Sequence, residues 1–347
     1  MTRLLWWSHI GIAVLTVAAY LSPYISPDTL WPFSFAALLF PTLVLINILL
    51  AGWWVYKGKR YWILSALLLA IGFGNLRELI GTGSAKESNQ SITVGVYNLL
   101  GGKHIYDTDK AALSENLAAF QECLQVDVLA TAETPLYDVA RRAVAKSLDR
   151  KGLKYHYFPP ESFVAIHSRY PLIKPRLIEA FNQTHGLIAA EIVPVKGGDT
   201  LTILAAHLES NHVRLDAKRV IKDAAKARKR AYWTIRDVAI NYRRGARKRT
   251  SQAELIAKTI GESPYPVVLM GDLNDTPLSY TLGTISRAGL VDAFRQNGQG
   301  LGITYPGTIP GLRIDYVLAD PSLTVLAADV IDCGFSDHNA TTARLGL

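Results

Sequence analysis

Cysteine is almost absent from this chain, with only Cys123 and Cys333 in 347 residues. That excludes a small fold stapled by several disulfides. Charge is scarce too: Asp, Glu, Lys and Arg make up 19%, where an ordinary soluble protein carries about 25%. Disorder is nevertheless excluded, because 49% of the residues are apolar and the mean hydropathy is +0.15. No internal repeat is recognisable. A shortage of charge of this size points to one very apolar segment joined to an ordinary one.

The missing charge is concentrated in the first 80 residues. None occurs over 4–27, 29–56 or 61–76, runs of 24, 28 and 16 residues. A helix needs roughly 20 apolar residues to cross a bilayer. The first two runs reach that length, and the third extends through Leu79 and Ile80 if Arg77 snorkels to the interface. Three transmembrane helices are therefore expected, with a kink at Pro41. Six of the seven tryptophans lie in these 80 residues, near the expected span ends. The loop at 57–60 carries Lys57, Lys59 and Arg60, while the loop at 22–29 has no Lys or Arg. The positive-inside rule then puts the N-terminus inside and everything after Gly81 outside. For a bacterium this means a multi-pass protein of the inner membrane with its larger domain in the periplasm.

A polar Gly/Ser-rich stretch at 81–90 reads as a linker, which divides the chain into an anchor at 1–80 and a domain at 91–347. Alternating strand and helix signals follow. Strands are expected at Ile92–Asn98, Asp127–Glu133, Ser162–Ser168, Gly186–Val193, Thr200–His207, Pro266–Met270, Leu312–Leu318 and Leu323–Ile331. Helices are expected at Ala111–Leu124, Pro135–Leu148, Val213–Asn241 and Gln252–Ile260. The overall charge of +8 hides a local excess. Residues 209–258 hold fifteen Lys+Arg against five Asp+Glu. Such a segment suits nucleic acid or anionic lipid headgroups, or is simply a solvated helix face.

Polar residues recur where apolar strands end: Asn98, Glu133, His207, Asp272 with Asn274, and Asp337 with His338. Asp315 lies inside another strand. Singly, each has a plain explanation as a turn, a cap or a satisfied interior group. As a set they resemble the endonuclease/exonuclease/phosphatase superfamily, in its bacterial membrane-anchored branch. The resemblance spans 91–345 and rests on Tyr97-Asn98, Ala132-Glu133, Ser168-Arg169-Tyr170-Pro171, Ala206-His207-Leu208, Gly271-Asp272-Leu273-Asn274-Asp275-Thr276-Pro277, Arg313-Ile314-Asp315-Tyr316 and Ser336-Asp337-His338.

That resemblance implies a four-layered α/β sandwich and a divalent cation, Mg²⁺ or Mn²⁺, for which oxygen donors are suited. Glu133, Asn98 and Asp337 would form its ligand shell. Asp272 would orient or deprotonate water, and Asn274 would hold a phosphate oxygen or the nucleophile. His338, oriented by Asp315, would donate to the phosphoryl group, with His207 as a second cation-like donor. Arg169 and Arg313 are candidate phosphate contacts, although a structural ion pair serves Arg169 equally well. His185 is expected on a surface loop, and the cysteines as buried thiols. The expected activity is metal-dependent phosphodiester hydrolysis, with nucleic acid as the first substrate. A phospholipid or sphingomyelin headgroup, or a phosphatase substrate, is the alternative within the fold. An inactive membrane-tethered binding protein is the alternative outside it.

Overall fold

The structure, a computed structural model, describes residues 2–88, 90–102, 122–135, 138–195, 197–210, 228–307 and 311–347. The chain divides into two compact units. One comprises 1–80, 211–253 and 275–284; the other comprises 81–210, 254–274 and 285–347. The helix expected at Ala111–Leu124 lies outside the described residues except at its end, as does the first half of that at Val213–Asn241.

The first unit begins with α1 (Thr2–Leu21), α2 (Pro27–Leu38), α3 (Phe40–Tyr56), α4 (Trp62–Ile71) and α5 (Phe73–Leu79). One continuous helix is long and apolar enough to cross a membrane, and up to three spans result if each bent pair counts as one. The pair α2–α3 bends by 58° and α4–α5 by 65°. Pro41 lies not at the centre of a kinked helix but in the first turn of α3, where its missing N–H costs nothing. The break falls just before it.

A buried polar chain ties α1, α3 and α4 together. Trp54 Nε1 donates to His9 Nδ1 (3.0 Å), and His9 Nε2 meets Ser65 Oγ (2.8 Å). Ser65 donates to Asn47 Oδ1 (3.1 Å), and Asn47 Nδ2 donates to Thr16 Oγ1 (2.9 Å). With Nδ1 accepting, the His9 proton sits on Nε2. Polar groups among apolar helices need such partners.

The same unit contains the N-terminal part of a 34-residue helix, α7 (Arg228–Gly261). Its path is continuous through Gly245, where two separate helices were expected. Tyr242, fully buried, donates to Ser34 O (2.7 Å) and meets Phe35 edge-on, with centroids 5.3 Å apart. Arg247 pairs with Asp28 (2.8 Å). Leu278 packs among Ala19, Ala36, Ala37, Phe40 and Leu43.

The second unit holds two six-stranded sheets. The first runs in the order β13 (Thr324–Ile331), β14 (Ala340–Gly346), β2 (Ser91–Asn98), β3 (Val128–Ala132), β5 (Ala165–Ser168), β4 (Tyr155–Tyr157). The second runs β10 (Val291–Asp292), β12 (Asp315–Ala319), β9 (Val267–Asp272), β8 (Leu201–His207), β7 (Gly186–Ile192), β6 (Ile173–Ala180). Only β2–β3 and β8–β9 pair in parallel; the other neighbours are antiparallel. A short ladder joins β1 (Gly81–Thr82) to β11 (Gln299–Gly300).

The sheets pack face to face. Ile92, Val94, Val96, Val128, Ala130 and Ile166 from one meet Ile188, Ile203, Val268, Met270 and Val317 from the other. On the outer face of the first sheet, α6 (Asp138–Asp149) buries Val144 and Leu148 against Leu129 and Tyr97. On the outer side of the second, Ser263, just after the end of α7, meets Thr202 through its Oγ (2.8 Å). Two central sheets with helices outside give the four-layered α/β sandwich that the resemblance implies.

Two long strands had no place in the sequence reading, as had the short β1, β4, β10 and β11. β6 holds Pro175 and is mostly exposed at a sheet edge with register shifts, a setting that tolerates proline. β14 is almost wholly buried, so it lacks the alternation that reveals a half-exposed strand.

The cysteines are not thiols. Cys123 and Cys333 form a disulfide with Cα atoms 5.7 Å apart, packed beside Tyr97, Leu129 and Phe335. It closes a loop across 210 residues of sequence. Replacing both cysteines by serine is expected to cost about 2–4 kcal/mol, read as an earlier unfolding transition without reductant and no difference with it.

Candidate active site

The alternation that fills the core also aims the site. On β2, Ile92, Val94 and Val96 point inward, and Asn98 is the next residue on that face. The same parity leads from Ile203 and Ala205 to His207 on β8, and from Val268 and Met270 to Asp272 on β9. On β12 it links Val317 and Ala319 to Asp315. Register then sets His207 beside Asp272, and Asp272 beside Asp315. Asn98 Nδ2 donates to Asp272 Oδ2 (3.0 Å), so both sheets contribute to one mouth.

Asp272 is almost fully buried, which is costly for a carboxylate unless it is paired. Its Oδ1 accepts from the Asn274 backbone N–H (3.0 Å). Its Oδ2 lies 3.7 Å from His207 Nε2 and 3.8 Å from His338 Nδ1. His338 Nδ1 donates to Asp315 Oδ2 (2.9 Å), and the Asp315 and Ile314 amides donate to Thr304 Oγ1 (3.1 and 3.0 Å). Asn274 Nδ2 donates to Leu208 O (2.9 Å).

Glu133 follows β3 with φ +47°, and Asn274 has φ +51°. Left-handed backbone costs a non-glycine residue about 1–3 kcal/mol, and such strain collects at functional sites. Glu133 is held by its neighbours: Gly101 N donates to Glu133 O (2.9 Å) and Thr134 N to Phe163 O (2.8 Å). Beneath the turn, Thr131 Oγ1 meets both Thr134 Oγ1 (2.8 Å) and His167 Nε2 (3.1 Å). Asn98 presents its amide nitrogen to Glu133 Oε1 (3.4 Å), while its oxygen accepts from Leu100 N (2.9 Å). Asn98 thus enters the site as a donor bridging Glu133 and Asp272.

The two histidines carry different charge. Burial alone would lower the His338 pKa, but the charges of Asp315 and Asp272 and the Asp315 hydrogen bond raise it to about 10. His207 is pushed down to about 3 by burial, with the Thr184 hydrogen bond opposing and the His338 charge adding. Its Nδ1–H donates to Thr184 O (3.1 Å), which leaves Nε2 as an acceptor. His338, between Asp315 and Asp272, is the histidine whose surroundings favour a cation. Burial opposes the charge expected on His207, which has Asp272 as its acidic neighbour at 3.7 Å. Burial, with repulsion from Asp272, also raises Asp315 to about 6, against the pull of His338.

Glu133 is pushed above the usual carboxylate range by burial and then by the charge of Asp272. Asp337 is half-buried, and its charge acts on Glu133, Asp272 and His338. Crowded carboxylates of this kind fit a hard divalent cation, whose charge would relieve their repulsion. Asp272, Asp315 and His338 also offer ligand atoms within 4.8 Å of one another. A protonated His338 with its Nδ1–H on Asp315 has no lone pair to give there, so the oxygen donors around Glu133 fit the ion better.

Both arginine candidates lie elsewhere. Arg169 pairs with Asp127 (2.9 Å). Asp127 precedes β3 and Glu133 follows it, so Arg169 sits at the opposite end of that strand, about 20 Å away at strand rise. Arg313 is buried, paired to Asp292, and stacked over Phe294 and Tyr316 at 5.4 and 5.3 Å. Neither is turned to a phosphate at this mouth.

His185 is not on a surface loop. It is buried, its ring centroid is 4.4 Å from that of His207, and its Nδ1 lies 3.6 Å from Glu209 Oε2. Asn182 caps the turn by accepting from Thr184 N (2.8 Å) and His185 N (2.9 Å). The Asn-x-Thr-His spacing was the available signal, since asparagine forms such turns. Tyr305, with its ring 4.8 Å from His338, left no comparable trace in the sequence.

Comparison with known proteins agrees with this geometry. The family model described as "Endonuclease/Exonuclease/phosphatase family" matches residues 95–338. A family described as a domain of unknown function (DUF8431) matches residues 2–79. No curated protein matches the chain. Among solved structures, D. rerio TDP2 humanised by 14 mutations is 17% identical with a TM-score of 0.50, covering 74% of this chain and 99% of that one. An endonuclease/exonuclease/phosphatase from Beutenbergia cavernae is 18% identical with a TM-score of 0.50, covering 75% and 72%. The human Nocturnin catalytic domain is 16% identical with a TM-score of 0.50, covering 74% and 93%. At such identities structural likeness establishes the fold. The family itself follows from the match over 95–338, which takes in most of the chain: the protein belongs to the endonuclease/exonuclease/phosphatase family of phosphoester hydrolases.

Proposed function

We propose that this hydrolase is a membrane-anchored, divalent-metal-dependent phosphodiesterase acting on nucleic acid, with its catalytic domain on the periplasmic side of a bacterial inner membrane. The observation that carries the reading is Asp272: a buried carboxylate beside a neutral His207, facing a cationic His338. One group can accept a proton from water while another stabilises charge on a phosphoryl oxygen.

Glu133, with Asp337, would hold the ion, Mg²⁺ or Mn²⁺, and Asn98 would steady Glu133 through its amide nitrogen. When bound, the ion neutralises phosphoryl charge. Asp272 orients or deprotonates the attacking water. Asp315 keeps the His338 ring in place through Nδ1, so that Nε2–H is left to donate to the phosphoryl group. Asn274, whose backbone is fixed by Asp272 and whose amide is held by Leu208 O, positions the nucleophile or a phosphate oxygen. His207 acts as an acceptor.

The substrate reading draws on the local basic charge and on a structural relative: D. rerio TDP2, 16% identical with a TM-score of 0.50, was solved with a single-strand DNA product. The location draws on the lysines and arginine of the 57–60 loop and on the Cys123–Cys333 disulfide, which suits an oxidising compartment. The test is a screen of the detergent-purified full chain, with Mg²⁺ or Mn²⁺, against DNA, RNA, phospholipid vesicles and sugar phosphates. Salt-sensitive cleavage of plasmid DNA supports the nuclease. Cleavage of lipid headgroups with none of DNA sinks it, and absence of metal-dependent activity on every substrate class would favour the inactive binding protein.

A further inference from the structure

The positive charge between residues 209 and 258 has a definite place. Its described part up to Ala253 belongs to the same compact unit as the apolar N-terminal helices. Along α7, Arg236, Asp237, Ile240, Arg243, Arg244, Arg247 and Lys248 are exposed, while Tyr242, Gly245, Ala246 and Arg249 are buried. The basic residues and Ile240 recur at i, i+4, i+7, i+8, i+11 and i+12, one continuous face of a helix on which Asp237 is the single acid. The buried set forms the opposite face. Tyr242 fixes that face to α2 through Ser34 O (2.7 Å), and Arg247 reaches Asp28 at the start of α2 (2.8 Å).

We propose that this arginine-rich face of α7 binds the headgroups of anionic phospholipids in the membrane that holds the chain. The proposal rests on reading α1, α3 and the bent pair α4–α5 as membrane spans, with α2, set at 58° to α3, lying at the bilayer surface on the outer side. A helix docked on α2 is then held at headgroup level, with a row of cations beside lipid phosphates. Ile240, 41% exposed in the middle of the row, gives the face the apolar contact expected of an interfacial helix. Nucleic acid is the competing ligand for such charge. The docking of the helix on the anchor, residue by residue, favours lipid.

The chain supplies a convenient reporter. Its two cysteines are joined and no other is present, so Ile240→Cys introduces a single reactive thiol. The labelled full chain, carrying an environment-sensitive fluorophore there, is reconstituted into phosphatidylcholine vesicles with and without phosphatidylglycerol. The emission is expected to shift to the blue as phosphatidylglycerol is added, and to lose that shift in high salt. Arg243→Gln with Arg244→Gln should weaken the response about 30-fold, from about 1 kcal/mol per arginine near an anionic surface. Equal emission in both vesicles, with the chain still resistant to carbonate extraction, overturns the proposal and leaves the anchor intact. A response to duplex DNA but not to phosphatidylglycerol overturns it in favour of nucleic acid. Extraction of the chain by carbonate overturns the anchor reading beneath it.

Discussion

Asp272→Asn is expected to lower the turnover of the full-length enzyme by about 10³–10⁴-fold while the protein still folds. The size follows from the loss of a general base, typically 10²–10⁴-fold, together with loss of charge alignment at the site. The substitution keeps the shape of a residue that is 1% exposed, and an amide oxygen still accepts from the Asn274 backbone N–H. What disappears is the negative charge between His207 and His338 and the oxygen bonded to Asn98. Two measurements separate the causes: metal binding by calorimetry and turnover at saturating substrate. Metal affinity preserved with turnover lost places Asp272 at the chemical step. Residual activity within tenfold of the parent would refute its assignment as the base.

The second large effect is structural. Arg249 is fully buried, and its Nε meets Asp275 Oδ2 at 3.1 Å. Asp275 also accepts from Thr281 Oγ1 at 2.8 Å. Arg249→Met would leave that carboxylate without its cation inside the first unit. Breaking a buried ion pair from one side costs about 3–5 kcal/mol, because the remaining charge is uncompensated. The melting transition should fall by more than about 5 °C. Asp275 follows Asn274 directly, so activity should decline below the transition as well, through a looser Asn274. The double variant Arg249→Met with Asp275→Leu removes both charges and should recover much of the stability. A single variant as stable as the parent would show that the pair contributes little.

This pair also bears on which form of the protein should be assayed. Leu278 packs with the apolar helices, and Asp275, held by Thr281, meets Arg249 of α7. A chain cut at the linker would expose Leu278 and Tyr242, whose partners lie in 1–80. The full chain is therefore the appropriate form for every measurement above.

Most of the second unit was legible because its strands are bounded by polar residues and filled by alternating apolar ones. Ile92-Val94-Val96 and Val268-Met270 announce both a strand and the direction in which its next inward residue points. That is why Asn98, His207, Asp272 and Asp315 could be named as a set before their contacts were visible. β6 and β14 escaped because one carries proline at an edge and the other is buried on both faces. α7 was read as two helices because its arginine-rich middle, with Gly245, has no apolar period, although tertiary contacts on its buried face carry it through.

The sequence by itself determined the split between an apolar N-terminal segment and an α/β domain, the identity of the acids, amides and histidines, and the local excess of basic charge. These depend on composition and short periodicities, which a linear reading preserves. Tertiary structure decided what depends on neighbours distant in sequence. It favours charge on His338, bonded to Asp315 and close to Asp272, and opposes charge on the fully enclosed His207. It assigns Arg169 and Arg313 to ion pairs with Asp127 and Asp292. It joins Cys123 to Cys333 across 210 residues, and it packs the middle of the basic helix, through Tyr242, on the apolar helix α2. Charge state, pairing and docking are set by what lies within a few ångströms, and the chain's order alone does not specify that.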